Sequence, residues 1–163
     1  MPPDHDLPAW GKPVDGVACA VLASRARGSF AGLGLWITAR NTGKQDRKIV
    51  TIGKERPEFM VEVLRADGTL VQQDPQYVKR RFERRKASNP NEKDVAQTLA
   101  SGKAELVAWG RELSHWYADL PTGKYQVTVT CRSGDKFNLV SNTAAFEIVP
   151  AGTKDPPTTQ PNE

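Results

Sequence analysis

Histidine is almost missing from this chain: His5 and His115 are the only imidazoles among its 163 residues. A serine or cysteine nucleophile needs a base beside it, so this scarcity removes most arrangements for covalent hydrolysis. His5 stands in a polar, Pro-rich opening stretch, which leaves His115 as the one candidate base. No GxSxG occurs, because in Gly28-Ser29-Phe30-Ala31-Gly32 the serine holds the wrong place. GLGLW at 32–36 lacks the remaining glycine of a dinucleotide loop and falls in a strand pattern. Cysteine is equally scarce, with only Cys19 and Cys131, and neither CxxC nor HxxxH spacing exists to hold a metal. Asp4-His5-Asp6 reads as a floppy polar terminus. The inventory predicts no enzyme: no catalytic residue, no metal site and no cofactor.

Long apolar runs are missing too. No stretch approaches the roughly 20 apolar residues a membrane-crossing helix needs, so no transmembrane segment is expected. The opening MPPDHDLPAW lacks the basic and apolar regions of a signal peptide. Either the protein stays in the cytoplasm, or an export signal was removed before Met1 and it is periplasmic or extracellular. With 12 Pro, four of them in the tail PAGTKDPPTTQPNE, residues 150–163 read as a Pro/Thr-rich disordered segment. Residues 1–9 read as disordered as well. One domain over 10–149 is long enough to bury a core of its own.

What is present is alternation. A half-buried strand repeats with period two, because successive side chains point to opposite faces. In PTGKYQVTVTCRSGDKFNLVSNTAAFEIV, residues 121–149, the residues Tyr125, Val127, Val129 and Cys131 share one face, with Thr128, Thr130 and Arg132 on the other. Ala144, Phe146 and Ile148 face inward in the last strand, and Ser133, Gly134 and Asp135 supply a turn between the two. Upstream strands are expected over 16–24, with Val17, Cys19 and Val21 inward, and over 31–41, with Leu33, Leu35 and Ile37 inward. RKIVTI at 47–52 is a third, and EFMVEVLRADGTLVQQ at 58–73 is a hairpin turning at Asp67-Gly68. TLASGKAELVAW at 98–109 reads as turn then strand. Ser114 can cap a single helical turn before Pro121, which makes a short crossover. The expectation is an all-β antiparallel sandwich of seven to eight strands with one short helical crossover.

The order of several motifs carries a resemblance. LASGKAELVAWGRELSHWYADLPTGKYQVTV followed by SNTAAFEIV resembles the C-terminal half of immunoglobulin-like β-sandwich domains found in secreted bacterial proteins. There a Leu-x-Pro-Gly turn, a Leu-Ser-x-x-Tyr crossover, a Gly-x-Tyr-x-Val strand and a Ser-Asn before the final strand recur. WGKPVDGVACAV and LWITARNTGK are similar to the same pattern, so the resemblance spans most of 10–149. Ser101 stands where the pattern has Pro, and a long insertion occupies about 75–95. Such domains act mainly as binding or spacer modules, so the resemblance implies a fold rather than a ligand. It also implies that the Tyr125 hydroxyl bonds back to the corner before its strand.

Cys19 and Cys131 both fall on inward faces of strands far apart in sequence. They are a disulfide candidate, and two buried free thiols give the same pattern. The other unusual feature is basic. Lys79, Arg80, Arg81, Arg84, Arg85 and Lys86, with Glu83 the one acidic residue among them, net +5 against +4 for the whole chain, which leaves the remainder at −1. Together with Phe82 they form a candidate binding site on an insertion loop at 75–95. It suits a protein or polyanion partner, with nucleic acid a less favoured polyanion, or it is a solvated loop between strands. Trp36 and Trp109 lie on the parity opposite their strands' aliphatic residues, where an exposed indole can stack on a sugar or cover a sheet end. The functional expectation is a non-enzymatic binding or interaction module. Its alternatives are a protease-inhibitor-like sandwich or a carbohydrate-binding accessory domain. The oligomeric state is left open.

Overall fold

The computed structural model describes residues 9–52, 58–86, 91, 93–133 and 137–155. The expected disordered segments 1–9 and 150–163 lie mostly outside them. Among the described residues the elements run β1 (Val17–Ala23), β2 (Arg27–Gly28), β3 (Gly34–Asn41), β4 (Arg47–Ile52), β5 (Glu58–Arg65), α1 (Pro75–Lys86), β6 (Val95–Leu99), β7 (Ala104–Glu112), β8 (Gly123–Ser133), β9 (Phe137–Val140) and β10 (Ala144–Ile148). The fold is mostly β, in several sheets whose strands pair antiparallel with one exception. One sheet has the order β1-β3-β7, a second runs β2-β10-β8-β5 with β9 also on β8, and β4 pairs with β6. The exception is β2, which lies parallel to β10.

The period-two faces set this arrangement. Tyr125, Val127, Val129 and Cys131 of β8 are all buried, as are Ala144, Phe146 and Ile148 of β10. They meet Val17, Cys19 and Val21 of β1 and Leu35 and Ile37 of β3 in one apolar cluster. Fully burying one such aliphatic side chain stabilises by about 1.5–3 kcal/mol, so this shared interior is the main driving force for folding. Phe146 and Tyr125 stack with ring centroids 5.6 Å apart.

Two expectations about helical structure change. The segment 75–95, expected to be an insertion loop, carries α1 as far as Lys86, with β6 beginning at Val95. At the crossover a 3-10 turn covers Leu113–His115 instead of a turn capped by Ser114. The Ser114 hydroxyl instead lies 3.1 Å from Glu112 Oε2. Burial explains the shift: Leu113, Trp116, Tyr117 and Leu120 are all drawn into the core, so packing fixes this corner. The strand count also rises to ten among the described residues: β2, β6 and β9 join the expected set, while the second limb of the 58–73 hairpin forms no strand of its own.

β9 and β10 are one return strand interrupted by a bulge. Thr130 pairs with Val140 and Val127 with Ala144, so the return strand holds one more residue than β8 across that interval. The irregularity turns Asn142 toward β1. Val21 N–H donates to Asn142 Oδ1 at 2.8 Å, and Asn142 Nδ2 donates to the Val21 carbonyl at 3.2 Å. One carboxamide thus takes both backbone groups of a residue in the other sheet. Just upstream, the Val129 N–H donates to the Ser141 hydroxyl at 2.9 Å, which closes the account on the β8 side.

The rest of that β1 edge is satisfied by the segment before it. Val14 and Val17 exchange backbone hydrogen bonds of 2.9 Å, and Gly11 N–H donates to the Cys19 carbonyl at 2.9 Å. Gly11 fits only because it has no side chain. A Cβ there would overlap the Val140 carbonyl and touch Ser141 Cα, all backbone atoms that cannot swing aside. We expect Gly11→Ala to cost about 1–3 kcal/mol, as overpacking does, read as a lower midpoint in equilibrium denaturation. An unchanged midpoint would mean that this segment does not lie against β1 in solution.

The hairpin after β5 turns where the sequence puts it. Gly68 adopts φ +84°, the left-handed region, and Asp67 Oδ1 accepts from the Thr69 N–H at 2.9 Å and its hydroxyl at 2.7 Å. Those two donors hold the Asp67 carboxyl below its ordinary pKa. The return limb is short. Val71 N–H donates to the Val63 carbonyl and Gln73 Nε2 to the Val61 carbonyl. Tyr117 completes this edge, accepting from the Val63 N–H at 3.2 Å and donating to the Val61 carbonyl at 3.3 Å.

Candidate functional site

The basic segment leaves β5 through this anchored limb and immediately becomes a helix. Asp74 is its cap: Gln76 N–H donates to Asp74 Oδ1 at 2.8 Å and Val78 N–H to the Asp74 carbonyl at 3.0 Å. Pro75 follows at the first helical position, where its missing N–H costs nothing and its fixed φ already suits a helix. The basic residues crowd the C-terminal half, where cations favour the negative end of the helix dipole. Asp74-Pro75 ahead of a basic run is the sequence signal that identifies α1, and the insertion-loop expectation passed over it.

Tyr77 and Val78 are half-buried at the base of α1, while Lys79, Arg80 and Glu83 are exposed. The backbone of Arg81, Phe82, Arg84, Arg85 and Lys86 belongs to the helix, and their side chains lie outside the described residues. All seven candidate residues therefore fall on one continuous helix. A helix of 12 residues is marginal in water on its own, since nucleation costs more than so few hydrogen bonds return. Residues four apart share a face, so Arg80 lies along the axis from Arg84 and Arg81 from Arg85. Like charges at that spacing repel. The geometry is a basic helix, fixed at its N-terminal end by Asp74 and Gln73.

The four indoles separate. Trp116 is fully buried, so it serves the core. Trp36 is half-buried on the outer side of β3, and Trp10 is half-buried with the Arg40 guanidinium 5.9 Å from its ring centroid. The side chain of Trp109 lies outside the described residues. Among the described residues, Trp10 and Trp36 are thus the indoles whose position permits contact with a sugar. Arg27 and Glu147 form a further ionic contact across the β2–β10 pair, Nε to Oε2 at 3.4 Å without hydrogen-bond alignment. Half-exposed pairs of this kind contribute little.

Tyr125 does what the resemblance implies for it. Its hydroxyl donates to the Pro121 carbonyl at 2.6 Å, tying the start of β8 to the corner that feeds it. Burial pushes its pKa up, with Arg65 opposing and Asp119 reinforcing. Cys19 and Cys131 are free and buried. Burial raises the Cys19 thiol to about 12 and raises Cys131 as well, the latter helped by the negative charge Cys19 would carry.

For chemistry of other kinds the described residues offer less. No group of three or more His, Cys, Asp or Glu side chains converges among them. No helix among them is long and apolar enough to cross a membrane. The side chain of His115 lies outside the described residues. No family model matches this chain, and no curated protein matches it as a relative.

Proposed function

We propose that this chain is a non-enzymatic interaction module, an immunoglobulin-like β-sandwich in fold, that holds an anionic partner surface on α1. Three features support the fold reading. Two mainly antiparallel sheets share one interior, β2 runs parallel to the last strand, and the Tyr125 hydroxyl returns to the Pro121 carbonyl. The observation that carries the function is the concentration of charge on α1. A segment netting +5 on a chain whose remainder nets −1 makes a local attractor for anions, and the mutual repulsion along the helix is relieved when an anion lies against it.

Heparin, a sulfated polyanion, is a suitable probe for the intact chain. Changing Arg80, Arg81, Arg84 and Arg85 together to Ala should weaken heparin binding by on the order of a hundred- to a thousandfold. That follows from roughly 1 kcal/mol for each basic side chain near an anionic surface. Wild-type binding should also weaken steeply with salt. Equal binding by the wild type and the fourfold variant would reject the reading.

A second reading, carbohydrate binding, is favoured by Trp36 on the outer side of β3 and Trp10 beside Arg40. Retention on an immobilised glycan that is abolished by Trp36→Ala and unaffected by the arginine changes would replace the first reading with this one.

A further inference from the structure

Cys19 and Cys131 are the only thiols of the chain, and the structure sets them on opposite walls of one core. Cys19 lies in β1 with 1% of its surface exposed, and Cys131 lies in β8 with 4% exposed. Three contacts draw these strands together. Val21, on the same face as Cys19, is held by Asn142. Gly11 donates to the Cys19 carbonyl and packs directly on the Val140 carbonyl. Val140 ends β9, whose Leu139 is the register partner of Cys131. The backbone at Cys19 therefore runs beside the end of the β8–β9 pair that carries Cys131. The electrostatic influence of Cys19 on Cys131 is a separate sign that the two sulfurs are neighbours.

We propose that Cys19 and Cys131 are the site of an inter-sheet disulfide that closes while the chain is folding, and that the finished fold then seals the pair in whichever state it was caught. The oxidant is a small disulfide of the glutathione class. One protein thiolate attacks a sulfur of oxidised glutathione, which forms a mixed disulfide and releases a glutathione thiolate. The second protein thiolate attacks the protein sulfur of that mixed disulfide, which forms the Cys19–Cys131 bond and expels the other glutathione. The protein loses two electrons and two protons, and one oxidised glutathione becomes two reduced ones. Each attack requires an ionised sulfur that the oxidant can reach. Burial removes both conditions in the folded chain.

The test uses the wild-type chain throughout. Refolding from denaturant with oxidised glutathione should give a monomer lighter by about 2 Da, the mass of two hydrogens, with no thiol reactive to Ellman's reagent after denaturation. The folded, reduced protein in the same glutathione should oxidise at least about a thousandfold more slowly than the denatured chain, because exchange waits on unfolding. Denaturant near the midpoint should speed it in step with the unfolded fraction. A refolded product holding glutathione adducts, intermolecular dimers or two free thiols would overturn the bridge. Oxidation of the folded protein as fast as of the denatured chain would overturn the seal.

Discussion

Replacing Asn142 by Ala is expected to cost about 2–4 kcal/mol, a large share of the stability of a domain this size. The carboxamide accepts from the Val21 N–H and donates to the Val21 carbonyl, and both residues are buried, Val21 wholly. Its loss strands two backbone groups away from water, at about 1–3 kcal/mol for each. Asn142→Asp discriminates further. The carboxylate keeps the acceptor for Val21 N–H but brings an uncompensated charge opposite the Val21 carbonyl, so this variant should gain stability on acidification where the wild type does not. Urea denaturation of both variants measures the effect. A loss within about 0.5 kcal/mol for Asn142→Ala, the range of an ordinary surface change, would mean that water reaches Val21 in the native state.

Alkaline titration of the reduced protein should give the other large effect. Both thiols are raised by burial, Cys19 to about 12, from an ordinary value of 9.0. In the unfolded chain they ionise near pH 9, while in the folded chain they stay protonated. Above pH 9 the unfolded state therefore binds fewer protons than the folded state, and stability falls as pH rises. Stability is fully present below pH 9 and is lost from there toward pH 12, at up to tenfold in the folding equilibrium constant per pH unit for each thiol. Tyr125, raised above 10.0, works in the same direction at the upper end. A disulfide has no thiol proton to lose, so the oxidised form should show only what remains from Tyr125 and other groups. Matching alkaline slopes for the reduced and oxidised forms, followed by circular dichroism at fixed denaturant, would contradict this burial.

Alternation made most of the interior legible from the sequence. Every inward assignment in β8 and β10 corresponds to a buried residue, as do Leu33, Leu35 and Ile37 around β3. That success has a physical source, since period two is imposed by the pleat and survives wherever one face is apolar. It fails in β1, where Ala18 and Ala20 on the supposed outer face are 1% and 0% exposed. Alanine carries no signal of which way it points, so a strand buried on both sides is indistinguishable there. β9 escaped because Ser141 and Asn142 interrupt its parity with β10. The bulge that breaks the pattern is a tertiary device, and only the facing strand β1 gives it a reason. α1 is hard to see because a dense run of like charge has the composition of a solvated loop, and its helix signal rests on the capping pair Asp74-Pro75 alone. The basic run itself was plain in the sequence, and what the structure adds is that Lys79–Lys86 lies on one helix.

The free margins of β1 and β5 bear on how the molecule behaves among its own copies. A bare strand margin is a template on which another chain can dock by main-chain pairing, the first step toward fibrils and swapped assemblies. Here Val14, Gly11 and the Asn142 carboxamide occupy the donors and acceptors along one margin, and Val71, Gln73 and the Tyr117 hydroxyl occupy those along the other. A few side chains and short loops thus act as guards against self-association, and losing one of them would release a sticky surface as well as a quantum of folding energy.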